Sequence, residues 1–181
     1  MISVRPAIVD DSDRIARAHI RTWQAAYAQV LPAAYRASFD PSVWTDRRRR
    51  QIAEQTPPDE CIVAEVDHEI VGHATVGRFR DADSVRDPAV GEILATYVVP
   101  EQWSGGVGPA LLRAGIDHLV RYGLREIRLW VIADNSRGRR LYERFGFLAD
   151  GGSRLVPAGA DYPDAAPVEH IRYTLRDARS M

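Results

Sequence analysis

Apolar positions along the chain recur with a period near 3.6 in some stretches and near 2 in others, and the alternation between these periods divides it into elements. Ile2 to Arg5 reads as a short strand. Asp10-Asp11-Ser12-Asp13 follows, a group of capping residues whose acidic charge suits a helix start. Beyond it Ile15, Ala18, His19, Thr22, Trp23, Ala26 and Tyr27 fall at helical spacing, which predicts a helix with an aromatic face that ends near Leu31-Pro32. A second helix is predicted after Asp40-Pro41, a capping acceptor followed by a proline suited to the first turn. Cys61 to Val66 and Ile70 to Gly77, separated by the polar Asp67-His68-Glu69, predict a β-hairpin. Arg80 to Ala89 reads as a polar loop, made locally acidic by Asp81, Asp83 and Asp87.

The second half alternates strand and helix. Glu92 to Val99 is rich in β-branched and aromatic residues and stops at Pro100. Ser104-Gly-Gly-Val-Gly108 then turns the chain into a helix opening at Pro109, with Leu112, Ile116 and Leu119 on one side and Gly123 at its end. Glu126 to Ile132 is the next strand. Asp134-Asn135-Ser136 caps a further helix, whose inward stripe is Leu141 and Phe145, up to Gly146. A Gly/Ala/Pro-rich loop from Gly151 to Pro167 leads to a last strand, Val168 to Leu175. Strand, glycine turn, helix, strand and helix make an α/β domain.

Composition narrows the chemistry. With 181 residues and 45% hydrophobic side chains the chain is read as a single domain, 1–181, able to bury a core. Its formal net charge of −1 provides no bulk attraction to nucleic acid or to an anionic membrane. All 24 basic residues are arginines. Without lysine there is neither a Schiff-base nor a Walker mechanism. Cys61, the single cysteine, opens a strand beside Ile62 and Val63 and reads as a buried thiol; one cysteine excludes an internal disulfide. The five histidines show no metal-ligand spacing, so no metal is expected. Arg47-Arg48-Arg49-Arg50 is a candidate phosphate patch, but four consecutive residues spread around a helix, and a solvated face is the favoured reading. The amino-terminal residues lack a basic region followed by an apolar stretch, which with the lone cysteine predicts a cytoplasmic protein.

The glycine turn carries the strongest local signal, because glycines let several N–H groups point at one anion beside the positive end of a helix. A Walker A turn would end Gly-Lys-Ser/Thr, whereas this one ends Gly108-Pro109-Ala110; a strict dinucleotide turn is broken by Leu111. Trp103-Ser104-Gly105-Gly106-Val107-Gly108 resembles the Q/R-x-x-G-x-G/A signature of the GNAT superfamily of N-acetyltransferases in its glycines and departs from it at Trp103. Pro109 is a second departure, removing one N–H. Asn135 to Phe147 is similar to the family's second cofactor motif, Arg5-Pro6-Ala7 with Asp11 to Arg17 to its first strand and helix, and Trp23 to Pro32 to its acceptor region. The likeness runs from about Val4 to Leu175.

This resemblance implies a mixed, mostly antiparallel sheet flanked by helices and splayed near its fourth and fifth strands to admit acetyl-CoA. It implies that Val98 and Val99 hydrogen-bond the pantetheine arm, that Trp103, Ser104, Gly105, Gly106, Val107 and Gly108 surround the pyrophosphate, and that Asn135 and Arg139 approach the cofactor. An amine is mostly ammonium at neutral pH and needs a base. Glu92 matches a glutamate that serves as base in several members; the alternative is a solvated or ion-paired strand carboxylate, and Glu101 on the turn is the weaker candidate. Tyr142 resembles the general acid that protonates the departing thiolate, the alternative being a place in the Leu141/Phe145 stripe. A backbone N–H near Val98 would serve the oxyanion. Trp23 and Tyr27 are candidates for the acceptor pocket.

Acetylation of a primary amine on a small molecule is therefore the expected function. Acetylation of a protein N-terminus or lysine, and a non-catalytic CoA-binding sensor, are the competing readings. The acidic stretches Asp81 to Asp87 and Asp161 to Asp164 suggest a polycationic acceptor. Homodimers are common in the family.

Overall fold

The computed structural model describes residues 1–26, 40–80, 86–157 and 167–179. Strand β1 (Ile2–Pro6) enters a single 3-10 turn, Val9–Asp11, and helix α1 (Ser12–Ala26). Asp11 builds this junction. Its buried carboxylate accepts from the backbone N–H of Ile8 at 2.9 Å and pairs with Arg5 at 2.7 Å and Arg14 at 2.5 Å. Burial alone would raise the Asp11 pKa, but Arg5, the Ile8 amide and Arg14 together hold it down at about 2. Helix α2 (Pro41–Glu54) starts as the sequence predicts, with the Asp40 carboxylate accepting from the Ser42 amide at 2.8 Å and proline in the first turn.

Strands β2 (Glu60–Val66) and β3 (Glu69–Arg80) form the expected hairpin, and β4 (Arg86–Val98) pairs antiparallel with β3. Helix α3 (Val107–Arg121) crosses back to β5 (Glu126–Ile132), which pairs parallel with β4. Helix α4 (Ser136–Arg144), β6 (Leu148–Val156) and β7 (Val168–Leu175) complete one seven-stranded sheet in the order β1-β2-β3-β4-β5-β7-β6. Leu111, Leu112, Ile116 and Leu119 of α3 are fully buried in the main core with Val76, Ile93 and Phe147. A side chain at Gly115 would meet Val76 at 3.0 Å and Ile93 at 3.3 Å, so this helix lies close on the sheet because that position is glycine. A second core, with Ile15, Ile52, Cys61 and Val63, lies under α1 and α2.

Four expectations are corrected. The polar loop 80–89 is shorter than predicted, since β3 runs to Arg80 and β4 begins at Arg86, which pair with each other. Their polar extension leaves the core, so no apolar alternation marks it. The Gly-rich loop predicted from Gly151 starts inside β6, a strand exposed along most of its length whose order comes from the ladder to β7 rather than from burial. Helix α3 opens two residues before Pro109, which falls within its first turn, where a missing N–H breaks no helical bond. Finally, Arg48 is not on a solvated face: it is 7% exposed and projects inward one turn from Ile52, while Arg47, Arg49 and Arg50 face solvent.

Candidate active site

The glycine turn is set by a short 3-10 segment, Pro100–Gln102, after which Trp103 and Gly105 amides bond to the carbonyls of Pro100 and Gln102 at 3.2 and 3.1 Å. Gly106 precedes α3 with φ +84°, a left-handed conformation that a side chain would strain. The amides of Val107 and Gly108 begin the helix and have no carbonyl four residues back within it, and Pro109 has no amide; Ala110 is the first to bond inward, to Gly106 at 3.1 Å. The Gly108 amide, which lines the cleft, and the helix dipole thus face the same space, as an anion requires.

Beside this turn the sheet opens. Strands β4 and β5 pair only from Val90 opposite Glu126 to Ile93 opposite Leu129, and then diverge. Val98 lies opposite Gly72, and the next amide, of Val99, bonds to Val71 O at 2.9 Å. Val98 is therefore in a non-hydrogen-bonded pair with β3, and so, two residues back, is Thr96. The N–H and C=O groups of both residues point away from β3 into the gap, an unpaired strand edge that an extended ligand can extend. Trp103 Nε1–H already donates to the carbonyl of Val98 at 2.7 Å. The tryptophan at the signature's first position thus braces the edge, and the guanidinium of Arg137 stacks 4.3 Å from its ring centre.

Turn and edge line a cleft of about 820 Å³, closed on the far side by α4. Tyr142 stands in its wall beside Thr96. Burial pushes its phenol up to about 12, the Thr96 hydroxyl opposing. Arg137, Arg140 and Arg144 add positive charge along α4. A second cleft of about 540 Å³ lies toward α1 and α2, lined by Trp23, Trp44, Arg48, His19 and Thr75 among others. Tyr97 is the one described residue that lines both. Its hydroxyl accepts from Trp23 Nε1–H at 3.1 Å, and burial raises its pKa against that bond.

The expected site residues separate into two groups. Val98, Trp103, Ser104, Gly106, Gly108, Asn135 and Tyr142 line the first cleft, and Trp23 lines the second. Gly105 and Val107 shape the turn without lining it, Val107 being fully buried. Val99 is buried and its amide is used by Val71, so it does not face the gap. Arg139 turns away from the cleft altogether, donating to Tyr173 OH and Ala133 O at 3.1 Å each, because α4 presents its arginines on both sides. Asn135 Oδ1 caps α4 through the Gly138 amide at 2.9 Å. Glu92 lines neither cleft. Its carboxylate is buried, accepts from the Arg80 amide at 3.3 Å and lies 3.7 Å from the Arg80 guanidinium. Burial raises the Glu92 pKa, and the Arg80 charge and amide counter it. Glu101 is exposed and paired with Arg21 at 2.7 Å. Tyr27, Asp81, Asp83 and the stretch 161–164 lie outside the described residues, and among the described residues no cluster of metal-ligating side chains occurs. Sequence reasoning missed Arg137 and Arg140, signalled only by an arginine-rich helix start, and Tyr97, which lies in a nearly continuous apolar run that assigns it no face.

A protein-family model described as the Acetyltransferase (GNAT) family matches residues 21–147, the span that carries the turn, the splay and α4. The chain belongs to this family. It is thus an acetyltransferase, and the expected fold is the one observed. Of its curated relatives, the uncharacterized N-acetyltransferase YuaI of Bacillus subtilis is 25% identical over 180 residues, 94% of this chain and 98% of that one. The mycothiol acetyltransferase of Kocuria rhizophila is 53% identical over 60 residues, 33% of this chain but 20% of that one. That of Frankia casuarinae is 31% identical over 153 residues, 81% of this chain and 41% of that one, so this chain spans less than half the length of these two relatives. In fold it is similar to the PaiA N-acetyltransferase of Thermoplasma acidophilum, solved in complex with coenzyme A, with a TM-score of 0.73 and 18% identity over 97% of this chain and 99% of that one. The ribosomal-protein-S5-alanine acetyltransferase of Vibrio fischeri gives a TM-score of 0.72 at 19% identity, covering 99% and 95% of the two chains. No helix among the described residues is long and apolar enough to cross a membrane.

Proposed function

We propose that this acetyltransferase moves the acetyl group of acetyl-CoA to a primary amine of a small molecule by direct attack of the amine on the thioester. The observation that carries the reading is the meeting of two clefts at Tyr97, one headed by an anion-binding turn, the other opening toward α1 and α2. The first cleft fits acetyl-CoA. The Gly108 amide and the arginines of α4 suit a pyrophosphate, and the Thr96 and Val98 backbone edge suits the extended, amide-bearing pantetheine. Acetyl-CoA supplies an activated acyl carbon and a thiolate leaving group.

The protein's residues then divide the work. Val98 N–H, directed into the splay, donates to the carbonyl oxygen as it gains charge. Tyr142 donates its phenolic hydrogen toward the departing sulfur. Glu92 takes up the amine's proton; because its carboxylate lines neither cleft, the proton reaches it through bridging solvent near Arg80, whose side chain lines the acceptor cleft. Trp23 orients Tyr97 as part of the wall between amine and thioester. The test is release of CoA thiol from acetyl-CoA by the purified protein against a panel of primary amines and peptides with free N-termini. Amine-dependent release with small acceptors supports the reading. Release with peptides alone, or tight acetyl-CoA binding without any release, overturns it.

A further inference from the structure

The second cleft contains a charge that no described residue neutralises. Arg48 is 7% exposed and lines the cleft. Its Nη1 donates to Gln51 Oε1 at 2.6 Å, its Nη2 to His19 Nδ1 at 3.2 Å, and its edge lies 6.0 Å from the centre of the Trp44 ring. Among the described residues no carboxylate pairs with it. None of the described acids of the cleft pairs with it: Asp59 pairs through Oδ2 with Arg86 at 2.6 Å and leaves Oδ1 buried without a partner, Glu60 accepts from Gln55 at 2.7 Å, and Glu54 is exposed. A buried guanidinium without a counter-charge is costly, and folding alone gives no reason to keep one.

The polar atoms around it point the same way. A guanidinium cannot accept, so its bond to His19 fixes Nδ1 of that ring as the acceptor and puts the proton on Nε2. That Nε2–H is buried with no partner, as is the Nε–H of Arg48. Thr75 Oγ1, on β3, is a third buried polar atom without a partner. His19, Arg48 and Thr75 all line the same cleft. Two orphaned donors and a hydroxyl around one unpaired cation make a site short of a planar anion with two acceptor oxygens. The imidazoles add no second positive charge, since burial first, and then the Arg48 charge, hold His19 down at about 3 and His73 well below its ordinary value.

From this arrangement we infer that the acceptor carries a carboxylate as well as its amine, and that Arg48, with His19 and Thr75, binds that carboxylate in the second cleft. The acceptor class is then amino acids and related amino carboxylates, in place of the polycationic amines that the acidic stretches of the sequence suggest. The inference rests on the reading of the protein as a small-molecule amine acetyltransferase and specifies which amines. His19 packs edge-on against Tyr97 with ring centres 4.4 Å apart, so the anion site is one ring away from the wall shared with the cofactor cleft. The amine can therefore reach the thioester while the acid stays at Arg48.

The experiment measures kcat/KM by thiol release for α- and ω-amino acids, for the methyl esters of the same compounds, and for a polyamine, with wild-type protein and with Arg48→Met. Wild-type protein is expected to prefer an acid over its ester by at least about 30-fold, the scale of a buried charge pair losing one partner. Arg48→Met should collapse that preference, losing most on the acid. The free variant should melt no lower than wild type, because an uncompensated buried charge has been removed. Arg48→Gln repeats the comparison if the methionine variant does not fold. Equal or better use of esters or the polyamine by wild-type protein overturns this inference alone, as does an equal loss on acids and esters in the variant. No turnover of any amine, with acetyl-CoA bound, overturns the amine-acetyltransferase reading and this inference with it.

Discussion

Replacing Tyr142 by Phe removes one oxygen from the wall of the cofactor cleft and leaves the ring, which packs edge-on against Phe147 with centres 6.1 Å apart. The size of the effect follows from how tightly the phenol holds its proton. Burial brings it to about 12, whereas a leaving thiol has a pKa near ~8.5. Complete transfer to the sulfur is then uphill by ~5 kcal/mol, at about 1.4 kcal/mol per pH unit. Tyr142 is therefore expected to act as a hydrogen-bond donor to the developing thiolate and not to surrender its proton. A hydrogen bond to a charged group is worth about 1.5–3 kcal/mol, which translates to a ~10- to 150-fold loss in the chemical step. Single-turnover acetyl transfer at saturating acetyl-CoA measures that step, and calorimetry should find the acetyl-CoA affinity within about threefold of wild type, since the ring remains. A loss beyond ~1000-fold would refute the reasoning, because it demands full general-acid catalysis. A rate near that of wild type, with chemistry limiting, would make Tyr142 a packing residue.

Glu92→Gln should lower turnover most at neutral pH, with the deficit shrinking as the pH approaches the amine's own pKa; parallel pH–rate profiles would remove Glu92 from the reaction. Because burial raises the Glu92 pKa, its favourable contribution to stability is complete below the unfolded pKa and is lost as the pH rises through the folded one. The same variant should therefore gain in melting temperature over wild type as the pH goes from acid to neutral. Asp11→Asn should cost about 2 kcal/mol at neutral pH, the worth of a carboxyl lowered from 3.8 to about 2. That cost should fade as the pH drops through both values, and denaturant titrations at pH 7 and pH 2 check the sign. Gly106→Val should lower stability by ~1–3 kcal/mol through a left-handed φ of +84°. A Cβ there would meet only Ile2, at 3.6 Å, so the strain is in the backbone; unchanged acetyl-CoA affinity in a folded variant would move the cosubstrate away from this turn.

How much of the site could be read without coordinates depended on whether its signal was local. The Gly106 turn, the Asn135 cap of α4 and the Glu60–Arg80 hairpin are specified by a few neighbouring residues, because backbone freedom and capping act over one turn of chain. Arg139 misled because it sits between Gly138 and Arg140, which line the cleft, and looks like its neighbours until the turn of the helix points it at Tyr173 on β7. Strand β6 was invisible because almost none of it is buried, so Leu148–Val156 carries neither apolar alternation nor an enrichment in β-branched or aromatic residues.

The sequence by itself determined the order of elements, the anion-binding turn and the family, since each is written in contiguous residues. Only the tertiary structure decided that the Val98 carbonyl is braced by Trp103, that Tyr97 divides two clefts, and that one of four consecutive arginines is buried without a counter-charge among the described residues. The surroundings of that arginine join residues far apart in the chain: Arg48 meets His19 and His19 meets His73 across 29 and 54 positions. Burial and pairing depend on what the fold places opposite a side chain, and the separation along the chain carries no record of it.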